Sequence, residues 1–182
     1  MLLLLVVAFS SCSPNKPEDI KALTSGEIYP SHTVKDLNSV ITDSGKIKYR
    51  FITPEMLQFD KKAEPTIEFP SGLHLYVFDA NEDVNAQIKC KKAIYFQEKE
   101  LWELSQDVEA VNMKGEVINT ELLFWDQKKK TIYSDQFIKI TRENEILTGY
   151  GFESDDHLDN YKIKNISGIL EIEEQPRPTQ AD

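Results

Sequence analysis

The most constraining feature of this chain is a period-two alternation of apolar and polar side chains, set between clusters of turn residues. It runs furthest in residues 107–140, DVEAVNMKGEVINTELLFWDQKKKTIYSDQFIKI. Val108, Ala110 and Asn112 alternate with Glu109 and Val111. The run Met113, Lys114, Gly115, Glu116 turns the chain, and residues 117–125 continue with Leu122 and Phe124 on one side. Residues 126–130, DQKKK, turn it again; residues 131–133 are short, SDQ makes a further turn, and residues 137–140 close the stretch. A strand sends successive side chains to opposite faces, so this alternation predicts antiparallel strands with one face buried. No acid, base or nucleophile is gathered in the stretch. It builds a surface rather than a reaction centre.

The same pattern occupies most of the chain. VKDLNSVIT and KIKYRFIT flank Asp43, Ser44 and Gly45, residue types that tolerate positive φ, which predicts a hairpin. Pro54 interrupts, and residues 56–59 form a short strand ended by DKKAEP. Residues 66–69 and 73–78 follow, broken at Pro70, Ser71 and Gly72. Residues 85–91, 93–96 and 101–104 precede the long stretch, and 146–152, 161–164 and 169–172 follow it. No window carries an i, i+3, i+4, i+7 apolar stripe over three turns. The predicted class is all-β.

Composition narrows the partners. The chain has 182 residues, enough for one domain and a tail, and 31 acidic against 21 basic residues give a net charge of -10. That sign repels a phosphate backbone, so no nucleic-acid partner is expected. With 40% hydrophobic residues the chain can bury a core. His32, His74 and His157 have no metal-ligand spacing around them, and Gly149, Tyr150 and Gly151 lack the third glycine and following helix of a phosphate cradle. Those glycines suit a bulge or sharp strand bend. No catalytic set, metal or cofactor is expected. Cys90 lies in strand-like IKCKK and reads as a lone structural thiol.

The N-terminus, MLLLLVVAFSSCS, is too short in its apolar run to span a bilayer, which takes roughly 20 residues. It fits the apolar core of a secretory signal, and the small residues Ser10 and Ser11 precede Cys12. The segment resembles a bacterial lipoprotein signal, which makes Cys12 the expected acylated residue; an ordinary cleaved signal with Cys12 incidental is the alternative. Residues 13–32, rich in Pro, Ser, Asn, Lys and Glu, read as a linker. The expected division is therefore 1–12 leader, 13–32 linker, 33–173 β domain and 174–182 disordered tail.

Within the β domain the chain matches itself at a shift of about 29 residues, a length typical of repeat architectures. AIYFQEKELWELSQDVEAV lies over LLFWDQKKKTIYSDQFIKI, setting Tyr95 on Phe124, Phe96 on Trp125 and Val108 on Phe137. GFESDDHLDNYKIKNISGIL is a weaker third copy. One unit cannot hide its own apolar face, whereas stacked units can. The expected body is elongated, with open strand edges at each end that invite pairing with another protein.

Four segments in order carry a family likeness: IKYRFITPEMLQFD, LWELSQDVEAVN, TELLFWDQKKKTIYSDQ and LTGYGFESD. Together, over about residues 34–173, they resemble LptC, the periplasmic component of the lipopolysaccharide export machine, and the wider OstA-like β-jellyroll family. The resemblance implies an elongated open β-jellyroll at the periplasmic face of the inner membrane of a Gram-negative bacterium. The implied task is to receive lipopolysaccharide from the inner-membrane ABC transporter and pass its acyl chains along an apolar groove. The implied partners are lipid A acyl chains, the membrane components of the transporter, and a periplasmic bridge protein of the LptA type that joins by edge-strand pairing. LptC proteins commonly carry an N-terminal transmembrane helix, whereas this chain shows only the short leader; lipidation of Cys12 is the expected anchor, and a start further upstream is the alternative.

Such a carrier needs a dry groove more than a reactive group, since apolar burial is worth about 25 cal/mol per Å². Alternation nominates Phe51, Leu57, Phe59, Ile67, Phe69, Leu75, Val77, Ile94, Phe96, Leu104, Val108, Leu122, Phe124, Ile138, Ile140 and Phe152 as inward-facing groove residues. The plainer reading of each is core packing between two sheets. Trp102 and Trp125 read as sheet packing rather than ligand stacking, and residues 128–130, three lysines, as a solvated turn. A structural or glycan-binding surface lipoprotein with no transport role is the competing function.

Overall fold

A computed structural model describes residues 28–171, so Cys12 and most of the linker and tail expectations lie outside the described residues. Eleven strands and no helix make up the described chain. They are β1 (His32–Asp43), β2 (Lys46–Phe59), β3 (Thr66–Phe69), β4 (Leu73–Phe78), β5 (Val84–Cys90) and β6 (Lys92–Phe96), then β7 (Leu101–Asn112), β8 (Val117–Asp126), β9 (Thr131–Thr141), β10 (Glu145–Asp155) and β11 (Tyr161–Glu171).

All the pairings are antiparallel, and their arrangement is simpler than the strand count suggests. β3 and β4 pair in succession with the second and first halves of β2. β5 and β6 likewise pair with the second and first halves of β7. Each of these pairs is therefore one long strand broken in the middle, at Pro70 to Gly72 and at Lys91. The chain is an up-and-down meander of long strands, with β1 and β11 at its two ends.

The other strands break at the same level. β1 carries Asp36 at φ 49, β2 carries Pro54, β7 carries Gln106 and Asp107 at φ 67 and 51, and β10 carries Gly151 at φ 74. The β8–β9 register slips between Thr120 and Phe124. Extra residues of this kind bend a strand and raise its twist. Ring contacts then cross the bend line: Phe51 stacks on Trp102 at 5.6 Å, and Tyr49 meets Trp125 edge-on at 5.4 Å. The sheet is thus folded along its bends into two facing layers. Layer A holds residues 37–53, 73–90, 108–120, 137–150 and 165–171; layer B holds 32–35, 55–69, 92–105, 122–134 and 152–163.

Side-chain hydroxyls satisfy the carbonyls that the bends would otherwise strand. Thr53 Oγ1 donates to the Gly72 carbonyl at 2.7 Å, Thr120 Oγ1 to that of Phe137 at 2.9 Å, and Ser134 Oγ to that of Leu122 at 2.6 Å. All three are buried, where an unpaired carbonyl would be costly. Their positions beside the breaks explain why small hydroxyl residues stand there rather than aliphatic ones.

Candidate functional site

The space between the layers is the candidate site, and two inward rows in each layer build it. In layer B one row runs Phe69, Ala93, Leu104, Leu123 and Phe152, and the next Ile67, Tyr95, Trp102, Trp125 and Ile132. In layer A the matching rows include Phe51, Leu75, Ile88, Ala110, Ile118 and Ile140, with Val108 and Ile138 nearer the bend. Leu75, Leu104, Ile118, Leu123, Ile138, Ile140 and Phe152 are fully buried.

The indole of Trp102 is the centre of this interior. Phe51 and Phe69 stack on it at 5.6 Å each, Tyr95 lies 4.8 Å away and Trp125 6.4 Å away. The hollow trough expected from the sequence is filled in this conformation. The cause is the size of the two indoles and their ring partners, which occupy the space an acyl chain would need. Two clefts on the described surface lie elsewhere: one of about 420 Å³ sits outside the bend beside Phe137 and Lys139, and one of about 330 Å³ sits among Lys114, Glu116, Arg142 and Tyr161.

Ten of the nominated residues face inward: Phe51, Ile67, Phe69, Leu75, Val77, Leu104, Val108, Ile138, Ile140 and Phe152. Six face out. They are Leu57, Phe59, Ile94, Phe96, Leu122 and Phe124. Leu57, Ile94 and Phe124 are cross-strand neighbours of Glu68, Glu103 and Tyr133, while Phe59 pairs with Thr66 on the same outer side, both buried yet outside the core cluster. Phe59 and Phe96 lie under the ammonium groups of Lys62 and Lys99, at 4.0 and 5.3 Å from the ring centres. The physical reason is common to all six. A one-residue bulge reverses the parity of everything beyond it. In β2 the inward set shifts from Tyr49, Phe51 and Thr53 to Met56, and from β5 to β6 it shifts from Ile88 and Cys90 to Ala93 and Tyr95. In β8 it shifts from Ile118 and Thr120 to Leu123 and Trp125.

The repeat needs the same adjustment. In space Ala93 corresponds to Leu123, Tyr95 to Trp125, Trp102 to Ile132 and Val108 to Ile138, a shift of about 30 residues. The shift of about 29 had set inward Tyr95 on outward Phe124. From the second unit to the third, Leu123 to Phe152 and Ile132 to Tyr161, about 29 residues does hold, because β10 carries its own bulge.

Several interior residues were not among the nominated groove set: Tyr49, Met56, Ile88, Leu123, Ile132 and Leu158. Pro54, Gly151 and the polar pair Gln106–Asp107 were the signals that could have located the phase changes. Cys90 is a free, buried thiol, and that burial pushes its pKa up to about 11. Of the three turn lysines, Lys129 bonds Asp126 Oδ2 at 2.8 Å and holds that carboxylate below the usual range, while Lys128 donates to the Glu98 carbonyl.

The interior opens toward both ends of the meander. Among the described residues β1 pairs only with β2, and β11 only with β10. At the β11 end the inward-facing Ile166 and Ile169 stay 58% and 57% exposed, and at the β1 end Ile41, opposite Tyr49, is 47% exposed. Each edge therefore presents unpaired backbone beside apolar side chains, which is the chemistry of strand addition.

Comparison with known proteins adds the following. A family described as "Lipopolysaccharide-assembly, LptC-related" matches residues 1–169. No curated protein matches the chain significantly. The family serves lipopolysaccharide transport as a component of the export apparatus rather than as an enzyme, in association with the inner membrane on its periplasmic side, with lipopolysaccharide and its transporter as partners. The matched span takes in β1 to β10 and nearly all of β11, and on that extent, together with the bent antiparallel fold, the chain belongs to the LptC-related lipopolysaccharide-assembly family.

Proposed function

We propose that this protein receives lipopolysaccharide from the inner-membrane ABC transporter and hands it to a periplasmic bridge protein of the LptA type. The acyl chains run between the two layers, and the bridge joins by pairing a strand with an open edge. The observation that carries this reading is the continuity of the interior with both edges: one inward row runs without a break from Ser39 on β1, through Phe51, Ile88, Ile118 and Ile140, to Ile169 on β11. Contact with acyl chains is assigned to the ten inward residues named above. Anchoring is assigned to acylated Cys12, and mass spectrometry of the mature N-terminus tests it.

Photo-crosslinkers decide the path. Placed at inward Leu104, Phe69 or Phe152, they capture lipopolysaccharide in an ATP-dependent way when the transporter is present. Placed at outward Glu109, Lys139 or Phe124, they do not. Labelling confined to the outward set overturns the assignment.

A second reading, a structural or glycan-binding surface lipoprotein, draws on two observations. The interior is filled, and the outer face bears stacked Phe124 and Tyr133 at 5.2 Å and the exposed pair Phe137 and Tyr150. Family membership ranks it second. Binding of oligosaccharide lacking acyl chains, with no binding of lipid A, would favour it.

A further inference from the structure

The two layers meet at the bends on one side of the body. On the opposite side, the mouth, Gln127 of the β8–β9 turn bonds Tyr49, and one further turn reaches across with several bonds. That turn joins β10 to β11 over residues 156–160 and belongs to layer B. Its partners belong to layer A. The Leu158 carbonyl accepts from Asn112 Nδ2 at 3.0 Å, and His157 Nδ1 lies 2.5 Å from Asn85 Nδ2. Lys114 Nζ reaches the Asp159 carbonyl at 3.4 Å, and Arg142 Nε donates to the Tyr161 hydroxyl at 2.8 Å. Asn85 and Asn112 are themselves 5% and 4% exposed, so their amides sit in the sandwich rather than in water.

Leu158 is the unusual residue of this turn. Its side chain is fully buried within the hydrophobic core, yet its backbone stands at φ 61. Left-handed backbone is disfavoured for a branched aliphatic residue and persists where the surroundings hold it. A turn of this kind ordinarily places Gly or Asn there. Burial of the leucine side chain offsets the backbone cost only while the turn stays closed on layer A.

A second observation concerns what lies behind the turn. The indole N–H groups of Trp102 and Trp125 are buried and have no hydrogen-bond partner among the described residues. Side chains that only fill a core normally find a partner for such donors or avoid them. Two spare donors in an apolar interior suit a guest that brings acceptor oxygens along with hydrocarbon. Ester- or amide-linked acyl chains are such a guest.

We infer that the turn over residues 156–160 is a clasp: closed, it plugs the mouth with Leu158, and released from Asn85 and Asn112, it admits acyl chains to the interior, where Trp102 and Trp125 donate to their ester or amide oxygens. This rests on the transport reading above and supplies the entry step that a filled interior requires. With the clasp closed most of the time, apparent affinity is lowered by the fraction that is open.

The test uses the full chain and hexa-acylated lipid A. Asn85→Cys with His157→Cys places two thiols where the native side chains touch, and Cys90 can stay because its buried thiol is held protonated. Oxidation, checked by mass, locks the clasp and is expected to cut lipid A capture by about tenfold or more, with reduction restoring it. Leu158→Asn keeps a residue that accepts left-handed backbone and removes the plug; it is expected to raise capture. Equal capture by oxidised, reduced and wild-type protein, or no gain from Leu158→Asn, overturns the clasp and leaves the transport reading standing. Absence of lipid A capture from the wild-type, reduced and Leu158→Asn proteins alike overturns both.

Discussion

Replacing Trp102 tests how tightly the interior is packed. The side chain is 4% exposed and lies among four rings, so Trp102→Ala removes most of the aromatic core at its centre. Truncations of this type cost about 3–5 kcal/mol. For a domain of this size that corresponds to a fall of roughly 15 °C in melting temperature. Trp102→Phe behaves differently. It gives up roughly 40 Å² of apolar contact, about 1 kcal/mol, but it also deletes a buried donor with no partner, whose burial costs about 1–3 kcal/mol. The two terms offset, and the variant is expected to sit within about 1 kcal/mol of the parent. Urea unfolding followed by far-ultraviolet circular dichroism, with the m-value checked for constancy, measures both. A Phe variant as unstable as the Ala variant would show that the indole N–H is satisfied. An Ala variant costing under about 1 kcal/mol would show that the layers are not packed around this ring.

Three further outcomes follow from local geometry. Burial opposes ionisation of Asp155, but the Asn160 amide and the backbone N–H groups of Asp159, His157 and Asn160 outweigh it and hold the carboxyl below its ordinary value. A lowered folded pKa stabilises above the unfolded value of 3.8 and fades as pH falls through it toward the folded one, so hydrogen exchange in residues 156–160 should quicken in that acid window and Asp155→Asn should abolish the pH dependence. Cys90, with its pKa pushed up to about 11, should alkylate at pH 8 about a hundredfold more slowly in the folded protein than in urea; equal rates would contradict its burial. Gly149→Ala would set a Cβ 2.5 Å from the Asn165 carbonyl oxygen and 2.6 Å from Ile163, so it should cost about 1–3 kcal/mol and loosen β11 first, as read by exchange of its amides.

The class and most of the tight turns were legible in the sequence because alternation and turn chemistry are local, but the turn expected at residues 134–136 and the breaks expected at Pro54 and between 164 and 169 are bends within the continuous strands β9, β2 and β11. The hairpin at Asp43, Ser44 and Gly45 is an example: its residue types required the turn wherever the strands went. Side-chain phase was legible within a segment but not across a bend. Phe51 could be placed and Leu57 could not, because Pro54 and Glu55 between them carry the extra residue. Phe124 was read as inward for the same reason, and Trp125, its neighbour, took the place. The two-layer folding was less legible still, since it depends on several bends falling at one level across strands distant in sequence. Leu158 shows the limit most plainly: a leucine in a run of Asp, Asn and His looked like a loop residue, and only the approach of Asn112 from the other layer makes it part of the core.

The central claim is that acyl chains occupy the space between the layers, and the chain carries its own probe of that space. Its only two tryptophans are Trp102 and Trp125, both buried there. Lipid A with brominated acyl chains quenches indole fluorescence on contact. Titrated against the full chain, it should quench most of the emission, in parallel with binding measured by sedimentation. Binding with the emission unchanged would place the lipid outside and contradict the account.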